Sequence, residues 1–205
     1  MTALSYLALG DSYTIGEGVD EDGRWPLQLA AGLRASRIAI DDPRIIATTG
    51  WTCGELSAAI DEAEPLGEWA FVSLLIGVND QYRGRSVDDY VGEFAALLQR
   101  AIALANARAD RVLVLSIPDW GVTPFAIASG RDRQHIADQL DAYNAAAQQL
   151  STGCGIAFID ITGISRDAGD ALAMLAEDGL HPSAALYARW TAAALPVARE
   201  LLARA

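Results

Sequence analysis

Positive charge is scarce in this chain of 205 residues: 15 basic side chains face 27 acidic ones, a formal charge of −12. Phosphate is bound mainly through Lys and Arg, so this balance repels nucleic acid and anionic membrane surfaces and leaves neutral small molecules as the expected ligands. Long hydrophobic runs are missing as well. No apolar stretch approaches the roughly 18 residues that a membrane span needs. There are two cysteines, Cys53 and Cys154, expected to be free and mostly buried. Histidine is equally sparse, and only His135 and His181 are available as a side-chain imidazole base. The residues before Gly10 hold no basic leader, which gives a cytoplasmic expectation.

What the chain does have is apolar content, 52% against 20% charged, enough for one ordinary domain over residues 1–205. Five short apolar runs, Ser5 to Leu9, Arg44 to Ala47, Ala70 to Ile76, Arg111 to Ile117 and Gly155 to Ile159, alternate with helical patterns. The runs are continuous, as expected of strands covered on both faces. Helices are expected over about 52–63, 87–105, 131–150 and 183–204, with Thr52/Glu55 and Ser86/Asp89 as capping pairs. Pro196 is expected to kink or restart the last helix. Such alternation predicts an α/β protein: a five-stranded, mainly parallel sheet with helices on both faces.

In such a sheet, ligands sit outside the carboxyl ends of the strands. Those ends carry Gly10-Asp11-Ser12, Thr48-Thr49-Gly50, Gly77-Val78-Asn79-Asp80, Pro118-Asp119-Trp120 and Asp160, and a later loop carries Asp178 and His181. A serine hydroxyl becomes a nucleophile only beside a base that takes its proton, which His181 can do, with Asp178 orienting the imidazole. The oxyanion then needs fixed donors, for which the candidates are the Ser12 and Gly50 N–H groups and the Asn79 side-chain amide. Trp51, Tyr82, Trp120 and Phe125 fall in or beside the same loops and are candidates for a substrate pocket.

These residues resemble the SGNH (GDSL-type) serine hydrolases. The matching stretches are Gly10-Asp11-Ser12 with Gly16, Gly50 with Thr52, Gly77-Val78-Asn79-Asp80, and Asp178-Gly179-Leu180-His181-Pro182, in family order across nearly the whole chain. The resemblance implies a flavodoxin-like three-layer α/β/α fold, no metal or organic cofactor, and hydrolysis of esters or thioesters of small molecules through an acyl-enzyme. It also implies that Asp178 is the acid of a triad with Ser12 and His181. Two positions depart from the pattern. Tyr13 stands where many members carry leucine, and Ile45 where many carry asparagine.

Plainer readings exist for each residue. Ser12 or Asp11 can cap a turn, Asn79-Asp80 can close an Asx turn, and His181 can cap the final helix. Cys53 is a rival nucleophile at a helix start, and His135 reads as a solvated helix residue. Two other functions remain open: a metal-dependent phosphoesterase built on Asp11, Asp80, Asp119 and Asp160 with His181, and a non-catalytic flavodoxin-like binding domain.

Overall fold

The computed structural model describes residues 3–203. Five strands, β1 (Tyr6–Gly10), β2 (Arg44–Ala47), β3 (Phe71–Leu75), β4 (Val112–Leu115) and β5 (Ala157–Ile159), form one sheet in the order β2-β1-β3-β4-β5, every pairing parallel. The expected α/β class and strand count are therefore present. The three inner strands are buried along their whole length, whereas β2 and β5 are only partly covered. Burial on both faces is why β1, β3 and β4 read as unbroken apolar runs.

Nine helices are described, beginning with α1 (Ser12–Ile15), α2 (Trp25–Ala35), α3 (Cys53–Ala63), α4 (Val78–Tyr82) and α5 (Val87–Leu104). They continue with α6 (Pro124–Ser129), α7 (Arg133–Gly153), α8 (Thr162–Ala168) and α9 (Ala184–Ala203). Right-handed crossovers fix where the long ones go. The chain steps from β1 to β2 in one direction and then returns past β1 to β3, β4 and β5, so α2 lies on one face and α3, α5 and α7 on the other. Contacts follow that division: α2 packs on α9, while α5 packs on both α3 and α7. The three layers that the resemblance implied are thus formed.

Besides the four-residue α1, four further helices come unannounced by the sequence reading. In α2, Trp25, Leu29 and Leu33 recur at helical spacing and are fully buried, and Pro26 occupies the first turn, where its missing N–H is harmless. The others, α4, α6 and α8, span five, six and seven residues. Of the kink or restart expected at Pro196, the restart is absent, because the last helix runs through this residue unbroken. Pro196 and Ala192, whose carbonyl loses its helical partner, both lie on the exposed side of the helix. Arg204, expected at the end of this helix, lies outside the described residues. Among the described residues no helix is long and apolar enough to cross a membrane.

The end of β1 is held by close approach. A Cβ on Gly10 would stand 2.2 Å from Thr14 Oγ1 and 2.4 Å from the Leu75 carbonyl oxygen of β3. Only glycine lets β1 stay paired to β3 while the chain folds back into α1. Gly10→Ala is therefore expected to destabilise the protein by about 1–3 kcal/mol, read as a lower urea midpoint with an unchanged m-value.

Candidate active site

Just beyond Gly10, Asp11 is the N-cap of α1, its Oδ1 accepting the Tyr13 N–H at 3.0 Å. The capping work belongs to Asp11, which leaves the Ser12 hydroxyl free of it. Ser12 holds the first helical position, where an N–H has no intrahelical acceptor. Its side chain is almost buried and lines a cleft of about 220 Å³.

His181 lines the same cleft. Asp178 Oδ1 accepts the N–H groups of Leu180 and His181, both at 2.9 Å, and Asp178 Oδ2 lies 2.5 Å from His181 Nδ1. Burial pulls the Asp178 carboxyl upward, but these three hydrogen bonds outweigh it and hold the group below the ordinary carboxylate range. An ionised carboxylate only accepts, so Nδ1 carries the proton, and in the neutral imidazole Nε2 then presents the lone pair. Helix capping falls instead to Ser183, whose Oγ accepts the Leu186 N–H at 3.4 Å. The Tyr13 ring stands edge-on to the imidazole, centroids 5.7 Å apart, and edge-on to Trp190 behind it at 6.0 Å. The departure at Tyr13 thus falls on the wall that supports His181. Ser12 Oγ and His181 Nε2 share the cleft without a hydrogen bond between them, and such contacts commonly tighten only with substrate bound.

Gly50 and Asn79 line the same cleft. Gly50 follows β2 with φ of +90°, a backbone state that side chains rarely adopt, and an added Cβ would meet nothing within 4 Å. Glycine is required here by conformation alone. Asn79 sits in α4, directly after β3, and donates from Nδ2 to the Trp51 carbonyl at 2.9 Å. An amide nitrogen carries two hydrogens, so one remains for the cleft. Its neighbour Asp80 accepts the Cys53 N–H at 3.0 Å and pairs with Arg85 at 3.0 Å. These are bonds between elements, so Asn79-Asp80 is no local Asx turn.

Of the four aromatics expected at the pocket, Tyr82, Trp120 and Phe125 line the cleft, while Trp51 lies outside its lining and packs partly buried against the core. Tyr82 and Trp120 meet edge-on at 5.4 Å, Trp120 and Phe125 at 6.2 Å, and the Trp120 indole N–H is fixed to Gln81 Oε1 at 2.9 Å. The sequence reading missed Tyr13, Thr49, Val78 and Leu180 in the lining. Leu180 lies inside the Asp178–Pro182 motif and Val78 inside the Gly77–Asp80 motif, so motif membership was the signal available.

The remaining candidates are engaged elsewhere. Asp119 pairs with Arg166 at 2.8 Å, Asp160 accepts from Ser116 Oγ and the Thr162 N–H, and Asp80 is held as described. Among the described residues no three acids, cysteines and histidines gather as a metal-binding group. Cys53 is free and buried, and Cys154 is free and half-buried. Burial, with the charge of Asp80 adding to it, pushes the Cys53 thiol well up, the reverse of what a nucleophile needs. His135 is exposed in the first turn of α7.

A sequence model of the GDSL-like lipase/acylhydrolase family matches residues 8–189. The chain belongs to this family. Membership makes it a carboxylic ester hydrolase, as the four motifs implied. No curated protein sequence matches it. Among solved structures, that of TesA is similar with 21% identity and a TM-score of 0.73, covering 96% of this chain and 99% of that one. The acetylxylan esterase Axe2 from Geobacillus stearothermophilus is similar at 19% identity and TM-score 0.72, over 96% of this chain and 94% of that one. The psychrotrophic esterase EstA from Pseudoalteromonas sp., in a structure inhibited by monoethylphosphonate, gives 19% and 0.65 over 97% and 94%. At these identities the likeness speaks for the fold.

Behind Ser12, the Asp11 carboxyl is fully buried and Oδ2 has no partner. Burial pushes it up to about 8, the Tyr13 N–H opposing and the nearby Asp80 adding to the rise. An unfolded carboxyl releases its proton near pH 4, whereas the folded one keeps it to about pH 8. Between those values the unfolded state binds fewer protons, so this group's contribution to stability falls as pH rises. Thermal melts from pH 5 to 8 should show a decline in wild type that is flatter in Asp11→Asn; parallel curves would refute the assignment.

Proposed function

We propose that the protein hydrolyses small, neutral carboxylic esters through an acyl-enzyme at Ser12, with His181 as base and Asp178 as orienting acid. The observation that carries this reading is the Asp178–His181 pair at 2.5 Å, presented to the same apolar cleft as Ser12. Ser12 Oγ attacks the carbonyl carbon while His181 Nε2 takes its proton, and Asp178 stabilises the imidazolium that forms. The N–H groups of Ser12 and Gly50 and the second Nδ2 hydrogen of Asn79 receive the oxyanion. Collapse of the tetrahedral intermediate expels the alcohol, which takes the proton back from His181. Water, activated by the same imidazole, then releases the acid and regenerates Ser12.

The cleft supports a short acyl group. Its volume of about 220 Å³ falls below the roughly 300–1,000 Å³ usual for small-molecule sites. Its walls at Val78, Tyr82, Trp120, Phe125 and Leu180 favour apolar matter, and the chain's charge of −12 disfavours anionic substrates. A similar fold in Axe2, an acetylxylan esterase, is consistent with small acyl groups on this scaffold.

Ser12→Ala and His181→Ala are each expected to lose about four orders of magnitude or more in kcat, since the triad acts as a unit, with an unchanged melting temperature as control. Asn79→Ala should lose about 10²–10³ in kcat with little change in KM. On aryl esters of graded chain length, kcat/KM should be highest for acetyl to butyryl. An active Ser12→Ala variant defeats the mechanism, and a maximum at long chains defeats the short-acyl reading.

A further inference from the structure

The segment Gly50–Cys53 is tied to α4 at three successive points. Asn79 Nδ2 donates to the Trp51 carbonyl, the Cys53 N–H donates to Asp80, and Arg83 Nη2 donates to the Gly50 carbonyl at 2.6 Å. The third tie reaches the Gly50–Trp51 peptide, whose N–H also donates to the Thr48 carbonyl at 3.3 Å. Gly50 has no side chain to anchor it, a Cβ built on it would meet nothing within 4 Å, and Thr48 and Thr49 before it are exposed. Pinning the Gly50 carbonyl restrains the Gly50 backbone dihedrals, and through them the adjoining Thr49–Gly50 peptide that carries the Gly50 N–H.

Arg83 is itself held. Its backbone N–H closes α4 on the Asn79 carbonyl at 3.0 Å, and its guanidinium meets both oxygens of Glu55, Nη1 to Oε1 and Nη2 to Oε2 each at 3.2 Å. Glu55 is immobilised in turn by the capping box of α3, where Oε2 accepts the Thr52 N–H at 2.8 Å. A continuous chain therefore runs from the start of α3 through Glu55 and Arg83 to the Gly50 carbonyl. On the other side, the Thr49 hydroxyl donates to Glu17. The Arg83–Glu55 pair is almost half exposed, 49% and 45% by side chain, and such pairs add little to stability. What distinguishes this pair is the peptide it grips.

We infer that Arg83 is a positioning residue for the oxyanion site: held by Glu55, it locks the Gly50 backbone so that the Gly50 N–H stays aimed into the cleft. The inference rests on the reading above that Gly50 is an oxyanion donor. A donor must be held within about 0.5 Å of its productive place, and one donor is worth about 10²–10³ in kcat, so loosening it forfeits part of that factor.

The test is steady-state kinetics on a neutral acetyl ester with wild type, Arg83→Ala, Arg83→Lys and Asn79→Ala, each verified as folded by its melting curve. Arg83→Ala should lower kcat about 10- to 100-fold with KM within about two-fold, and Arg83→Lys, which keeps a cationic donor, should recover most of the loss. Affinity for a boronic acid that forms a tetrahedral adduct on serine should fall in Arg83→Ala by a factor similar to kcat. Loss of kcat in Asn79→Ala but not in Arg83→Ala overturns the positioning role and leaves the hydrolase mechanism standing. No loss in either variant overturns the oxyanion reading and the inference with it. With an anionic ester assayed in parallel, a rise in KM confined to that ester in Arg83→Ala shows that Arg83 contacts substrate and also overturns the inference.

Discussion

The parallel pairing of β1 with both β2 and β3 is the constraint on which the site depends. Because the chain leaves β1 for β2 and returns to β3 on the other side, the loops after these three strands leave the sheet side by side at their carboxyl ends. A crevice opens where the direction of winding reverses. Ser12, Gly50 and Asn79 are the residues these loops deliver, although 67 positions separate the first from the last. Helix α9 covers the face shared with α2, and the loop before it brings His181 to the same crevice. The Gly10 contact with Leu75 shows how tight this junction is, since one methyl group there meets backbone.

Hydrogen bonds convert that adjacency into fixed geometry. Asp178 uses both carboxylate oxygens on its own loop, so the imidazole orientation is set locally and needs no acid from a distant strand. Helix α4 and the start of α3 are stitched together through Asn79, Asp80 and Arg83. The acids behind the site, Asp11 and Asp80, are structural: one caps α1, and the other ties Cys53 to α4 and pairs with Arg85. Burial of Cys53 and the charge of Asp80 keep the thiol protonated, which removes the rival to the Ser12 hydroxyl proposed as nucleophile.

Much of this was legible in the sequence, for reasons that differ by element. Strands buried on both faces announce themselves as apolar runs, and β1, β3 and β4 were read within one or two residues at either end. Motifs in which glycine and polar residues recur at strand ends marked Ser12, Gly50, Asn79 and His181, all of which line one cleft. Short helices such as α4 were not readable, because five residues hold no periodicity and their start is fixed by tertiary bonds. Trp51 illustrates the limit of position alone: it sits beside the Gly50 loop, yet its ring turns towards the core and only its carbonyl serves the site. Arg83 was invisible for the same reason, since a guanidinium that grips a backbone carbonyl 33 residues away leaves no local pattern.

The central claim is that Ser12 carries the acyl group during turnover, and covalent trapping tests it most directly. The protein is incubated with an activated alkyl phosphonate ester, and the intact mass and peptide map are recorded by mass spectrometry. The account predicts one adduct per chain, located on Ser12, formed together with loss of activity and absent from Ser12→Ala. A stoichiometric adduct on Cys53 or another side chain, or full loss of activity with Ser12 unmodified, would contradict it.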